Sequence, residues 1–196
     1  MQTQTKQIGI FAALVLLMAI TRGSHFGSSI NLPDATLAIF LLAGFMLPRF
    51  TLTALAAFIF LLLEAGGLDY YAIAYRGVSD YCVSPAYWFL IPTYASMWFA
   101  GHWFAAHRHN NWSNLVLFGV VSLLASSTAF LISNSAFYTL SGRFTEMSVA
   151  EYTARVAKYY PPYVSGSLMY LALAAVIYVA VKTLLKSSTD TAQDNG

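Results

Sequence analysis

The sequence predicts an all-α integral membrane protein, a compact bundle of six transmembrane helices. Hydrophobic residues make up 58% of the 196 residues and charged residues only 9%, whereas a soluble domain has about 25% charged residues. The mean hydropathy is +0.61. Several apolar runs also approach the length of about 20 residues that a helix needs to cross a bilayer.

Six apolar segments are the predicted spanning helices. The first begins after Lys6 and resembles a signal peptide, but no small-residue cleavage site follows it, so we expect a retained helix. Pro33 and Asp34 suit the start of the second helix, and Pro48 separates it from the third. The six segments are residues 8–20, 35–47, 50–65, 85–106, 112–138 and 163–185.

Residues 146–160, "EMSVAEYTARVAKYY", carry apolar side chains at helical spacing. This pattern predicts an amphipathic helix on the outer face, between the fifth and sixth spanning helices, where it would serve as a lid. Residues 1–186 form the predicted transmembrane domain, and the polar residues 187–196 form a disordered tail.

The basic residues predict the orientation. Six helices put both termini on one side, together with two short turns that contain Arg49 and Arg108. Lys182 and Lys186 end the last helix on that side. Because short cytoplasmic loops are enriched in Lys and Arg, we predict that both termini lie in the cytoplasm. The long polar segments 22–34, 66–84 and 140–162 then face outward.

Cys82, the single cysteine, lies in one of these outer segments and excludes an internal disulfide. An inert thiol is the ordinary interpretation of a lone cysteine. Its polar neighbours instead resemble the setting of reactive cysteines. One thiolate cannot build a zinc or iron–sulfur site, but it can supply an axial ligand to a metal already held in a macrocycle.

Other outer residues suit a ligand pocket. Asp69 is a candidate acceptor for the Cys82 proton, and Arg155 can bind amide or phosphate oxygens. The surrounding aromatic residues fit either an interfacial belt or a pocket for a large flat ligand. They are Tyr70, Tyr71, Tyr75, Tyr81, Tyr87 and Trp88.

Three further patterns argue against other classes of function. His102, His107 and His109 have gaps of five and two residues rather than the i, i+4 spacing of helical metal pairs. They are more typical of a helix end that contacts lipid headgroups. The net charge of +2 without a basic run excludes a nucleic-acid partner, and the chain has no Walker motif.

The stretches "GSSINLPDATLAIFLLAGFMLPRF" and "LDYYAIAYRGVSDYCVSPAYW", together with six predicted helices and the lone loop cysteine, resemble BtuM-type cobalamin transporters. These are relatives of the S-components of ECF vitamin transporters. The resemblance implies a six-helix bundle whose outer loops enclose cobalamin, with Cys82 as axial cobalt ligand and metal-binding residue. It also implies that Asp69, Tyr87 and Arg155 surround the corrin.

One departure concerns the partner. S-components carry a small-residue A-x-x-x-A motif on the first helix for docking onto an ATP-driven ECF module. This chain has Gly9 and Ala13 at that spacing, followed by Leu17. The motif is therefore not properly present, and the need for an ECF module stays open.

The leading hypothesis is a transporter that binds periplasmic cobalamin and moves it into the cytoplasm, with removal of cyanide from cyanocobalamin as an accompanying activity. The alternative is a membrane-embedded thiol-dependent enzyme with Cys82 as nucleophile and Asp69 or Tyr87 as acid or base. No His or Lys in the loop would activate that thiol. A third interpretation is a structural subunit without a ligand.

Overall fold

The computed structural model describes residues 2–24, 32–47, 51–108, 112–144 and 147–194. Within these ranges the chain forms six α-helices and two short 3-10 turns and contains no strand, which confirms the predicted all-α fold. The α-helices are α1 (Gln2–Ser24), α2 (Thr36–Met46), α3 (Leu52–Arg76), α4 (Leu90–His107), α5 (Ser113–Leu140) and α6 (Val149–Asp194). The 3-10 turns are Asp80–Cys82, named here the Cys82 turn, and Pro85–Phe89, named the Tyr87 turn.

Four of these helices are long and apolar enough to cross a membrane, which supports the predicted membrane character. The apolar stretches are Thr5–Arg22, Leu52–Arg76, Ser113–Leu140 and Val149–Leu184. With 11 residues, α2 is about 16 Å long and spans only about half of the hydrocarbon core. It therefore lies inside the bundle without crossing the membrane.

The short helix α2 forms the centre of the bundle. Eight of its eleven residues are buried, and it packs against α1, α3, α4, α5 and α6. Its sequence is apolar on all sides, as expected for a helix that is surrounded by others. Two glycines allow α2 and α4 to touch. A Cβ atom at Gly44 would lie 2.2 Å from the carbonyl oxygen of Trp98, and one at Gly101 would lie 1.9 Å from that of Leu41.

Helix α3 is longer than the sequence predicted. The predicted segment ends at residue 65, where the apolar run ends, but the helix continues through Gly66 and Gly67 to Arg76. Its C-cap is Gly77 in the left-handed conformation, with φ +67°. Asp69 therefore lies on a helix rather than in a loop, and the outer connection to α4 is correspondingly short.

The amphipathic segment before the last span is helical, as predicted, but it continues into that span without a break. Helix α6 has 46 residues with Pro161 and Pro162 inside it, so it is about 69 Å long, more than twice the hydrocarbon thickness. Interior prolines each remove a backbone hydrogen bond and usually kink a helix, yet α6 continues through both of them. The helix also includes residues 187–194 of the predicted disordered tail.

Candidate functional site

A buried arginine organises the end of the bundle where α1 ends and α2 begins. Arg22 is only 7% exposed. Its Nε donates to Oδ1 of Asp69 at 2.7 Å and its Nη2 donates to Oδ2 at 2.6 Å. This two-point geometry matches the planar guanidinium fork to the carboxylate, and it is the strongest form of ion pair that side chains make.

The remaining donor group of Arg22 connects further elements. Its Nη1 lies 3.1 Å from Oδ2 of Asp34, 3.1 Å from the Thr36 hydroxyl and 3.0 Å from the Tyr94 hydroxyl. One guanidinium thus links α1, the start of α2, α3 and α4. We call this set, with Asp69, the Arg22 cluster. A charged side chain at the end of a spanning helix is stable only with such partners.

Tyr87 joins the Arg22 cluster from the Tyr87 turn. Its hydroxyl donates a hydrogen bond of 2.7 Å to Oδ2 of Asp69, so two of the predicted site residues are in direct contact. Burial raises the pKa of Tyr87, and the hydrogen bond to Asp69 raises it further. Tyr87 therefore stays protonated and acts as a hydrogen-bond donor.

Cys82 ends the Cys82 turn and is exposed. The turn is held locally, because the Ser79 hydroxyl accepts from the Tyr81 N–H at 3.2 Å and the Asp80 carbonyl accepts from the Val83 N–H at 2.7 Å. Desolvation raises the pKa of the Cys82 thiol, the negative charge of Asp69 raises it further, and Arg143 lowers it.

Arg143 is a neighbour of Cys82 that the sequence analysis missed. Its guanidinium carbon lies 4.2 Å from the ring centre of Tyr81, and the Tyr81 ring packs against Phe137 of α5 at 5.9 Å. Gly142, with φ +69°, turns the chain after α5 and brings Arg143 back over the Cys82 turn. A basic residue after a glycine in an outer loop was the only available signal in the sequence.

Arg155 lies on α6 and is exposed. Its guanidinium carbon is 5.2 Å from the ring centre of Phe144. Among the described residues no hydrogen bond or ion pair joins it to Cys82, Asp69 or Tyr87. It belongs instead to a surface of two arginines and five aromatic rings beside the Cys82 turn, the aromatic–arginine surface. Its members are Tyr81, Phe137, Tyr138, Arg143, Phe144, Tyr152 and Arg155.

Two buried polar atoms near this region have no hydrogen-bond partner among the described residues. They are the Ser84 hydroxyl, two residues after Cys82, and Oδ1 of Asn134 on α5. Helix α5 packs against the Tyr87 turn, so both atoms belong to elements that border the Cys82 loop. Buried polar groups normally have partners, and these two are exceptions.

The described part of the chain contains no group of three or more His, Cys, Asp or Glu that could hold a metal ion. His107 uses Nδ1 to bond the Trp103 carbonyl at 2.8 Å, and its ring stacks on that tryptophan. His109 lies outside the described residues.

An open apolar groove of about 750 Å³ lies between α5 and α6. It is lined by residues 115–123 and 168–180, whereas Phe137 contacts the Cys82 turn near the opposite end of α5. Ser122 is the only hydroxyl residue in this lining. A ligand rich in amides would find too few partners there, so the groove is not a second candidate for the predicted site.

No protein-family model matches the chain, and no curated protein matches it at a significant level. The geometry around Cys82 is therefore the basis for the functional assignment.

Proposed function

We propose that this chain is a transporter of the bacterial inner membrane that binds cobalamin at its outer end and moves it into the cytoplasm, with Cys82 as axial cobalt ligand. The observation that carries the proposal is the position of the only cysteine. It is exposed on a short turn that is flanked by the Arg22 cluster, through Tyr87, and by the aromatic–arginine surface.

The ligand set around Cys82 favours a metal that arrives in a macrocycle. A corrin supplies four equatorial nitrogens, so the protein needs to provide only one axial ligand, and a soft thiolate suits that position. The thiolate would replace the nucleotide base of cobalamin on the lower face. In that step the cobalt–nitrogen bond breaks, a cobalt–sulfur bond forms, and the thiol proton is released.

The state of the thiol argues against the alternative of a thiol-dependent enzyme. A nucleophilic cysteine needs a lowered pKa or an adjacent base, whereas the pKa of Cys82 is raised by desolvation and by Asp69. Asp69 is also not a free base, since both of its oxygens already accept hydrogen bonds from Arg22, and Tyr87 adds a third. Coordination to cobalt remains the step that can displace the thiol proton.

The surroundings of Cys82 offer complementary contacts for the rest of the ligand. Aromatic rings suit the flat apolar face of the corrin. The guanidinium groups of Arg143 and Arg155 can donate to the peripheral amides and to the phosphate of the nucleotide loop.

A cyanide ligand on the upper face would be weakened by sulfur donation from below. Cyanide would leave with the electron pair of its bond to cobalt, water would take its place, and the metal would stay in the same oxidation state. We include this removal of cyanide from cyanocobalamin in the proposal. The proposed transport requires cobalamin and the lipid bilayer as partners. Reconstitution without an ECF module tests whether these two suffice.

The deciding experiment is the absorption spectrum of the purified protein with hydroxocobalamin and with cobinamide, which lacks the nucleotide base. The wild type should shift the cobalt bands of both, and Cys82→Ser should shift neither. The double variant Cys82→Ser/Val83→Cys moves the thiol by one exposed residue and should not restore the shift. An unaltered spectrum of cobalamin bound to the wild type would reject Cys82 as ligand.

A further inference from the structure

The inference concerns Glu64, an acidic residue at the midpoint of the spanning helix α3. From this position either end of the helix is about 18 Å away at the helical rise of 1.5 Å per residue. The side chain therefore lies well inside the apolar stretch of α3. Ionisable residues at this depth are rare and usually belong to pathways for ions, protons or substrates.

One oxygen of the Glu64 carboxyl group lacks a partner that would stabilise a charge there. Its Oε2 is enclosed and has no hydrogen-bond partner among the described residues. An isolated carboxylate in an apolar medium is strongly unfavourable, and such a group takes up a proton instead. The neutral acid is therefore the form that fits the structure.

The charged residues of the neighbouring elements do not change this result. Helix α3 packs against α1 and α2. Helix α2 contains no charged residue, and in α1 the charged residues are Lys6 and Arg22, near its two ends. Arg22 is committed to Asp69, which lies five residues beyond Glu64, or about 7.5 Å along the helix axis.

The residues directly after Glu64 allow α3 to change shape. A Cβ atom at Gly66 or Gly67 would have no atom within 4 Å, so packing does not require glycine at either position. Two small flexible residues in succession are where long helices bend. A bend at this pair would move Glu64 relative to the Arg22 cluster, which holds the outer part of α3.

We propose that Glu64 is a proton-binding site inside the membrane and that it couples inward transport to inward proton movement. The carboxyl takes a proton from the outer compartment, and the neutral form suits the enclosed Oε2 of this structure. It releases that proton to the cytoplasm when α3 bends at Gly66–Gly67. The coupling rests on the proposed transport function, whereas the protonated carboxyl does not.

The protonated carboxyl is tested without any ligand. Infrared spectra of the wild type in lipid vesicles at neutral pH should show the C=O stretching band of a protonated carboxylic acid, and Glu64→Gln should lack it. The control Asp80→Asn removes an exposed acid and should keep the band. If the wild type has no such band, or if Glu64→Gln retains it, the proton site is rejected.

The coupling is tested with hydroxocobalamin uptake into vesicles that contain only this protein. With one proton per cycle, an acid-outside gradient of one pH unit can raise the accumulation ratio about tenfold. Glu64→Gln should give the wild-type binding spectrum but lose this response, and Glu64→Asp should recover part of it. If the pH gradient raised hydroxocobalamin accumulation equally in the wild type and in Glu64→Gln, the coupling would be overturned. It would also be overturned if the gradient did not change accumulation in the wild type. A missing binding spectrum in the wild type would instead reject the proposed function and leave the infrared result to judge Glu64.

Discussion

The guanidinium of Arg22 and the carboxylate of Asp69 form a two-point ion pair that joins the end of α1 to α3, with N–O distances of 2.7 and 2.6 Å. The same carboxylate accepts the Tyr87 hydroxyl. The pair therefore connects the two helices to the turn that follows Cys82. The position of the Tyr87 turn therefore depends on Arg22, which reaches it through Asp69.

Replacement of Arg22 by Ala should destabilise the protein strongly. It would leave the Asp69 charge without its partner in a partly buried place, and loss of one member of a buried pair typically costs about 3–5 kcal/mol. Arg22→Lys keeps the charge but cannot make the two-point contact, so an intermediate loss is expected. Thermal unfolding in detergent measures the melting temperatures of both Arg22 variants. Lys158→Ala, which replaces an exposed residue, is the control. Equal melting temperatures for Arg22→Ala and the control would show that the ion pair adds no net stability.

Tyr87→Phe tests the hydroxyl without removing the ring. A hydrogen bond to a charged group contributes about 1.5–3 kcal/mol, so we expect cobinamide affinity to fall about tenfold or more if the Tyr87 turn positions the site. Tyr81→Phe is the matched control, because the ring of Tyr81 makes the described contacts with Arg143 and Phe137. Binding titrations followed by absorbance compare the two variants. A larger loss of affinity in Tyr81→Phe than in Tyr87→Phe would show that the hydroxyl in the Cys82 turn, and not the one in the Tyr87 turn, positions the site.

Replacement of the two arginines of the aromatic–arginine surface should weaken cobalamin binding to different extents. Arg155→Ala was expected from the sequence to weaken cobalamin binding, and Arg143→Ala should do so more strongly because Arg143 also lies close enough to Cys82 to lower its pKa. Binding of hydroxocobalamin at neutral pH ranks the two variants. Equal losses would indicate that both arginines contact only the periphery of the ligand.

The sequence predicted the fold better than the site. Low charge, apolar runs and prolines indicate helices through local composition, so the six helices followed directly. The third predicted segment ends with its apolar run at residue 65, because hydropathy alone does not show that α3 continues through Gly66 and Gly67 to Arg76. Arg22 had the pattern of an ordinary residue flanking a span. Arg22 and Asp69 are 47 residues apart in the sequence, and no local pattern encodes such a contact.

The glycines at the contact of α2 and α4 should be among the least replaceable residues. A Cβ atom at Gly44 or Gly101 would meet a backbone carbonyl at 2.2 or 1.9 Å, and backbone atoms cannot rotate away as side chains do. Overpacking typically costs about 1–3 kcal/mol, so Gly101→Ala should lower the melting temperature clearly. Gly119→Ala meets no atom within 4 Å and should be nearly neutral. A similar effect of the two substitutions would contradict the close packing described here.

The pH dependence of cobinamide binding follows from the thiol. Coordination requires the thiolate, so one proton is released per bound ligand, and affinity should rise about tenfold per pH unit while the thiol is protonated. Because desolvation and Asp69 raise the pKa of Cys82 in the folded protein, this rise should continue beyond the ordinary thiol value of about 8.5. Asp69→Asn removes one cause of the raised pKa, so the rise should level off at a lower pH. Cys82→Ser should show no such slope. Titrations of the cobinamide spectrum across neutral and alkaline pH measure all three proteins, and a slope in Cys82→Ser equal to that of the wild type would assign the released proton to another group.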